Sequence, residues 1–450
     1  KKYIKSAADG NYPPAQAQIA KFYEQEGKYK DAARYYRMAA DWDEKAEQDS
    51  NRTNIGIQSF GYVDSLVINR DANLSSIEHY GMFLLEGRGI EKNIELATNY
   101  FVVGEERGSR FCSIQLAIIN NDANKLKGIA DESNDNIAQY EYAIKIQPTQ
   151  ESADCSEWVR YMTLAADQGN IKACMALNEF YESATITSGK RNSQIKIKIK
   201  GARADIRTAI KYCQIAADKN HPPAISKIGM YNLNGTCCQK NEEEAVRLFE
   251  KAIELGNDPM ACLNYGLIIL KKSSSISDDL NRRSEERRAF DLIRNAAEHK
   301  FVPAQYRFAK LIFEMMENQS DRILGDSEDP EIDRYLNDDT AEKNLKAAAD
   351  HRHPGAMYDY ALFLLKVKKN VIEGSRYLRR VADAGNSFAQ YKYGKLLIKG
   401  LIEDDADGAK QGKPVYRKNE KKGLEYINKA AANFHKKAMQ FLEQNSESRN

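Results

Sequence analysis

Residues 381–400 read VADAGNSFAQYKYGKLLIKG. The stretch opens with two small residues and a short polar turn, and it reaches Ala389 eight residues after the first small residue. We term the segment from the first small residue to this closing alanine the repeat frame. A glycine, Gly394, lies five residues beyond the closing alanine. Because the same frame recurs along the chain, it decides the fold.

Seven segments keep the spacing between the small pair and the closing alanine. They are AADGNYPPA (7–15), AADQGNIKA (165–173), AADKNHPPA (216–224), AAEHKFVPA (296–304), AADHRHPGA (348–356), VADAGNSFA (381–389) and AAANFHKKA (430–438). A further segment, AIELGNDPMA (252–261), has one extra residue, and weaker copies begin near Ala39, Ile68, Val103 and Ala130. A frame that recurs about a dozen times indicates a repeat array.

The residues around each frame follow helical spacing. A tyrosine or leucine precedes the first small residue by four positions, as at Tyr377, and another small residue often precedes it by seven, as at Gly374. Offsets of four and seven lie on one face of an α-helix. Each copy therefore predicts a helix that ends in the small pair, a turn, and another helix that begins near the closing alanine. Stacked helix pairs of this kind form an α-solenoid.

The frame resembles the Sel-1-like repeat family, a relative of the tetratricopeptide repeat. The resemblance rests on the AADxGNxxA turns and on YGMFLLEGRGIEKNIELATNYF (80–101), which is similar to the family's helix–loop–helix pattern. The predicted fold is all-α, a right-handed α-solenoid of about 11–12 Sel-1-like repeats. We expect one array over 1–450, with degenerate repeats at 41–75 and 111–155.

Four longer spacings predict charged insertions between helices, near 184–205, 272–288, 318–340 and 403–420. The first contains IKIKIK (195–200), whose strict alternation is a strand signal. We favour a solvated loop here. The alternative is an ordered strand or hairpin that presents Lys196, Lys198 and Lys200 to a partner. The third insertion is strongly acidic, and we expect it to be solvated rather than bound to a basic partner.

The bulk composition limits the function classes. The formal net charge is +2, which gives no case for binding to nucleic acid or membranes, and no apolar run is long enough for a membrane span. Seven cysteines, an odd and small number, argue for a reducing compartment. The chain starts without Met, and we interpret it as a segment of a longer protein.

The search for catalytic motifs is negative. P-loop, HExxH, GxSxG and kinase patterns are absent, and no Cys or His cluster has zinc spacing. Cys112, Cys174 and Cys262 share one repeat position, which favours core packing. Five histidines lie in the turns, where a position near a helix C-terminus explains them better than a metal does. We therefore expect no catalytic residues, cofactor or metal.

A second set of positions suggests a binding surface. Two and six residues after the closing alanine lie away from the packing face of the helix. These positions hold tyrosine and lysine in several repeats: Tyr306, Tyr358, Tyr391, Lys310 and Lys395. The alternatives are a Tyr/Lys ladder that binds a partner, since tyrosine is enriched at interfaces, and packing between adjacent repeats or simple solvation.

The hypothesis that follows is a non-enzymatic scaffold that binds proteins within a larger assembly, the role that the resemblance also implies. Alternatives are a regulatory domain of a larger enzyme such as a kinase, a luminal adaptor in endoplasmic-reticulum-associated degradation, and a structural component of the cytoskeleton. We expect a cytoplasmic location, free or attached to the cytoskeleton, with the endoplasmic-reticulum lumen as the alternative. Relatives proposed to act on β-lactams carry cysteines eight residues apart, and this chain has no such pair.

Overall fold

The computed structural model describes the chain outside residues 43–59, 150–153, 189–194, 200–201, 318–333, 401–417 and 448–450. These described residues form two compact units, Lys1–Ala216 and Ala217–Asn450. Twenty-two helices and one two-stranded sheet account for the secondary structure of this part of the chain. The all-α prediction is confirmed, and the number of helices is what eleven helix pairs require.

The first unit contains short helices and one hairpin. In chain order they are α1 (Lys2–Asp9), α2 (Pro13–Gln25), α3 (Tyr29–Ala40), α4 (Phe60–Glu86), α5 (Ile94–Glu106), α6 (Arg110–Ile119), α7 (Ala123–Ser133), α8 (Asn136–Lys145), α9 (Ser156–Asp167), α10 (Ile171–Ser183), β1 (Thr185–Ser188), β2 (Ile195–Lys198) and α11 (Ile206–Asp218), in which the boundary between the units falls. The region 111–155, where the repeat is degenerate, still forms helices.

The second unit is helical throughout its described residues. Its helices are α12 (Pro222–Asn234), α13 (Glu242–Gly256), α14 (Pro259–Ser273), α15 (Asp279–Glu298), α16 (Val302–Glu317), α17 (Asp338–Asp350), α18 (Pro354–Lys366), α19 (Val371–Asp383), α20 (Ser387–Ile398), α21 (Glu420–Ala432) and α22 (Lys436–Glu447).

Within each unit, helices pack mainly against their neighbours in sequence. The core consists of alanines at the helix contacts and larger rings between them, and Ala361, Tyr360 and Phe249 are almost fully buried. A single helix pair leaves half of its apolar surface open, so each pair is completed by the next one. This arrangement confirms the predicted α-solenoid.

The turn inside the repeat frame has one conformation in all seven copies. One helix ends at the third residue of the frame and the next begins at the seventh. The fifth residue has a positive φ in every copy: Asn11, Gly169, Asn220, Lys300, Arg352, Gly385 and Phe434. The amide of the sixth residue bonds to the carbonyl of the first, as from Asn386 to Val381 at 3.2 Å. This is the Schellman stop of a helix, which favours Gly or Asn at the left-handed position.

We term the helix that begins near a closing alanine the first helix of a repeat, and the helix that ends in the small pair the second helix. An asparagine side chain caps the start of many second helices. The side chain of the residue before the helix accepts a hydrogen bond from the backbone amide three residues later, at Asn93, Asn241, Asn337, Asn370 and Asn419. The bond satisfies one of the amides that a helix start leaves open. The repeat therefore encodes both the stop of one helix and the start of another.

Small residues bring the paired helices into backbone contact. A Cβ added at Gly394 on α20 would lie 2.6 Å from the carbonyl oxygen of Gly423 on α21, and one at Gly423 would lie 2.8 Å from the carbonyl oxygen of Gly394. Side chains cannot move aside there, because the atoms in contact are backbone. The predicted close approach at Gly394 is therefore present.

Tyrosine hydroxyl groups join one repeat to the next. The tyrosine four residues before the small pair donates to the acidic third residue of an earlier frame, as from Tyr35 to Asp9 at 2.7 Å and from Tyr377 to Asp350. Tyr426 donates in the same way to Asp383. Burial and this bond raise the pKa of Tyr426 to about 12. The acidic residue of the frame is thus an acceptor between repeats.

The interpretation of 184–205 as a solvated loop is wrong. Strands β1 and β2 pair antiparallel, with Ile186 opposite Ile197. Both isoleucines are buried, and Lys196, the exposed residue before Ile197, forms an ion pair of 2.8 Å with Glu179 on α10. The alternating pattern therefore has an apolar face against the helices and a basic face toward solvent.

The insertion expected at 272–288 is mostly helix. Helix α14 ends at Ser273 and α15 already begins at Asp279, where the side chain of Asp278 accepts from the amide of Leu280 at 3.3 Å. Ion pairs of Asp279 with Arg282 and Arg283 hold the first turns. The charges therefore extend a helix instead of forming a loop. Most of the insertions at 318–340 and 403–420 lies outside the described residues.

Replacement of Gly394 by alanine should lower the free energy of unfolding of the second unit by about 2 kcal/mol, as overpacking against a backbone carbonyl does. Thermal melting followed by circular dichroism measures the change. Gly128→Ala on α7 is the matched control, because a Cβ there meets nothing within 4 Å. That helix should be stabilised by up to about 1 kcal/mol. Equal effects of the two variants would contradict the close approach.

Truncation of Ile197 to alanine should destabilise the first unit by about 2 kcal/mol, because it removes a buried side chain from the hairpin. Lys198→Ala changes the next residue, which is exposed, and should stay within about 0.5 kcal/mol of the parent. Urea unfolding of both variants gives the comparison. An unchanged midpoint for Ile197→Ala would show that the hairpin adds nothing to the unit.

Candidate functional site

The first helices of successive repeats carry the predicted Tyr/Lys positions. Tyr306 lies on α16, half-buried, and its hydroxyl donates to Asp359 on α18 at 2.8 Å. Its ring lies 4.5 Å from the His353 ring, between centroids, and Lys310 lies 5.9 Å from the Tyr306 centroid. Burial, and then the bond to Asp359, raise the pKa of Tyr306. These contacts are those of packing between adjacent repeats.

Tyr391 on α20 has a similar arrangement two repeats further along the chain. Its ring centroid lies 4.9 Å from that of His435, which precedes α22. The ammonium group of Lys395 lies 5.6 Å from the Tyr391 centroid and 5.8 Å from the Phe441 centroid. The Tyr391 ring therefore contacts His435 of the next repeat, and the ammonium group of Lys395 lies over the same ring.

Tyr358 lies on α18, between these two tyrosines in sequence. It is half-buried, and burial raises the pKa of its hydroxyl. Lys196 and Lys198 lie on the hairpin of the first unit, and Lys200 lies outside the described residues. The predicted site residues thus occur in both units, and their role in partner binding stays a prediction.

The histidines of the turns do not share one position. His299 and His351 follow a helix C-terminus, where Nδ1 of each contacts the carbonyl four residues earlier at 2.8 Å. His353 and His435 instead precede a helix, and their Nδ1 atoms accept from the amides of Ala356 and Ala438 at 3.2 Å. An accepting nitrogen requires the neutral ring. The expectation of a C-terminal cation position is therefore wrong for these two.

A group of lysines that sequence reasoning did not single out lies beside Tyr391. We define the lysine surface by Lys366 at the end of α18, by Lys392, Lys395 and Lys399 on and directly after α20, and by Lys437 on α22. A signal was available in the repeat alignment, because Lys366 and Lys399 both follow their closing alanine by ten residues. Lysine at an exposed helix position is so common that one occurrence carries no information.

Mutual repulsion marks these lysines as a cluster. Burial, and then Lys366, Lys395, Lys437 and Lys399, lower the pKa of Lys392. Every charge in that set is positive. Ion pairs nearby use other side chains, such as Lys368 with Glu342 on α17 and Arg379 with Asp383 on α19. Within the described ranges, the lysine surface is a concentration of positive charge with no carboxylate in an ion pair with it.

The part of the chain that the structure describes holds no group of three His, Cys, Asp or Glu side chains placed to bind a metal ion. Cys112, Cys174 and Cys262 are buried, which confirms their role in the core, and burial raises the pKa of Cys112 and Cys262 to about 11. Among the described helices, none has the length and apolar content to cross a membrane.

Five segments of the chain match the Sel1 repeat: 75–102, 159–170, 199–221, 222–257 and 387–433. The fold is similar to that of c5321, a protective antigen of uropathogenic Escherichia coli with an SLR fold. The two share 15% identity over 96% of this chain and 79% of c5321, with a TM-score of 0.50. A Sel1 repeat protein of Oxalobacter formigenes shares 19% identity, over 86% of this chain and 92% of that protein, with a TM-score of 0.42.

None of the curated proteins compared with the chain matches it. The five matching segments occur in both units, and the resemblance to Sel1 repeats is therefore confirmed. Sel1 repeats are in general non-catalytic scaffolds for protein–protein interaction.

Acidification should destabilise the second unit through His353 and His435. Burial is the main cause that lowers the pKa of each below the ordinary value of 6.5. The unfolded chain therefore takes up protons that the folded chain resists, so stability is full above about pH 6.5 and falls as the pH drops below it. Melting temperatures between pH 7.5 and pH 5 should show this loss.

The double variant His353→Asn, His435→Asn should reduce that loss, because asparagine caps a helix start without titrating. The matched control changes two exposed histidines, His299→Asn and His351→Asn. A pH dependence that is the same in the His353/His435 variant as in the parent would contradict the capping role.

Proposed function

We propose that this chain of Sel1 repeats is a non-enzymatic scaffold that holds partner proteins within a larger assembly. The proposal rests on a difference in contacts between the two helices of a repeat. Tyrosines of the second helices, such as Tyr377 and Tyr426, use their hydroxyl groups for bonds between repeats. The first helices α18, α20 and α22 carry the lysine surface, whose lysines form no ion pair with a carboxylate within the described ranges.

A surface of this kind suits recognition of a protein. Consecutive helices of a solenoid lie side by side and present a continuous row of side chains, whose spacing the core sets. The row combines half-buried rings, such as Tyr358 and Tyr391, with the ammonium group of Lys395. Aromatic side chains with a polar end are enriched where proteins bind one another.

Cross-linking of the native chain in its cell extract tests the proposal. A lysine-reactive cross-linker should join partner proteins to lysines of first helices, such as Lys310, Lys366 and Lys392. Lysines of second helices are the matched control, and Lys251, Lys343 and Lys346 are exposed there. The expected result is a stable set of partners whose cross-links fall mainly on the first group. An even distribution over both groups, or no stable partner, would contradict the scaffold role.

A further inference from the structure

The lysine surface gathers positive charges from three neighbouring repeats, and the scaffold role alone does not say what binds them. Lys392, Lys395 and Lys399 follow one another at intervals of three and four residues, so they lie on one face of the helix. Lys366 and Lys437 bring the neighbouring repeats' charges to the same place. Like charges at this density destabilise the folded chain, unless something of opposite charge binds there.

We infer that the lysine surface binds an acidic, extended segment of a partner protein. The inference rests on the proposed scaffold function and gives the partner its chemistry. Carboxylates of the segment would supply the negative charges that no described residue supplies in an ion pair. Burial and then the repulsion of the four neighbouring lysines lower the pKa of Lys392, and binding of an anion would relieve that repulsion, so the surface is a better site for an anion than an isolated lysine.

The aromatic rings at the surface favour a polypeptide over a nucleic acid. Proteins that bind single strands offer ring faces on which bases stack. Here Lys395 lies over the rings of both Tyr391 and Phe441, and the Tyr391 ring also contacts that of His435. These two rings therefore already pack against neighbouring side chains. Acidic residues instead need ammonium groups within reach, which five lysines on three helices provide.

The spacing of the helices sets the form of the segment. First helices of successive repeats follow one another along a solenoid, and we take their separation as that of packed helices, about 8–10 Å. An extended chain advances about 3.3 Å per residue, so it passes from α18 to α20 to α22 in steps of about three residues. A segment with an acidic residue at every third position therefore places one carboxylate at each helix in turn.

A labelled synthetic peptide provides the test. The probe is fluorescein-(Glu-Ser-Gly)4-amide, with fluorescein-(Gln-Ser-Gly)4-amide as the neutral control, and binding to the full chain is followed by fluorescence anisotropy. The acidic peptide should bind, and the neutral peptide should not. Its affinity should fall steeply as salt is raised from about 50 mM to 300 mM, because exposed charges are screened.

Charge reversal separates this surface from general attraction. The variant Lys392→Glu, Lys399→Glu, Lys437→Glu should weaken binding of the acidic peptide at least about tenfold. The matched control, Lys251→Glu, Lys343→Glu, Lys346→Glu, makes the same change in net charge on second helices and should bind as the parent does. The first variant should melt at or above the temperature of the parent, since it removes repulsion, so loss of binding is not loss of fold.

Three outcomes would overturn the inference. One is equal binding of the acidic peptide by both triple variants, and another is tighter binding of an oligothymidylate than of the peptide at the same lysines. The third is that the first variant loses native partners although the parent does not bind the peptide. In that case the partner segment is not acidic, and the scaffold function stands. A further result would separate the two proposals. If the parent binds the peptide but the first variant retains all native partners, the lysine surface binds acidic segments but does not hold those partners.

Discussion

The contact of two helix backbones at glycine and alanine is the constraint on which the rest of this structure depends. At Gly394 and Gly423 the carbonyl oxygen of each residue lies where a Cβ of the other would be, so no larger residue fits without separating the helices. The separation of the helices sets how far the next pair lies from this one. Every contact between repeats, and the spacing of every exposed side chain, therefore follows from residues that have almost no side chain.

The turn and the tyrosines carry this constraint from one repeat to the next. A left-handed residue at the fifth position of each frame reverses the chain within three residues, and the following helix starts at the same point each time. The hydroxyl of Tyr377 or Tyr426 then bonds to the acidic residue of an earlier frame. The aspartate at the end of one helix is thus also the hydrogen-bond acceptor for the tyrosine of the next repeat. Lys300, Arg352 and Phe434 keep the left-handed turn without Gly or Asn, which shows that the packing imposes it.

The surface residues divide according to whether packing uses them. Tyr306 has the sequence position of a binding residue, yet its hydroxyl and ring contact Asp359 and His353 of the next repeat. Tyr391 has the same position, and beside it the ammonium groups of five lysines remain without a carboxylate in an ion pair within the described ranges. A regular array gives equivalent positions to successive repeats. Their use in binding depends on the residues that the neighbouring repeat brings to them.

The sequence by itself determined the helix pairs, their ends and the close contacts, because these follow from periods of three, four and seven residues within one repeat. The periods alone therefore assign Ala389 and Gly394 to the contact between helices. Only the tertiary structure decided the hairpin, where burial of Ile186 and Ile197 depends on neighbouring helices. It also decided the neutral state of His353 and the crowding of lysines around Lys392. These features depend on side chains that the fold brings together, such as Lys366 and Lys437 beside Lys392, and the helical period within one repeat does not record them.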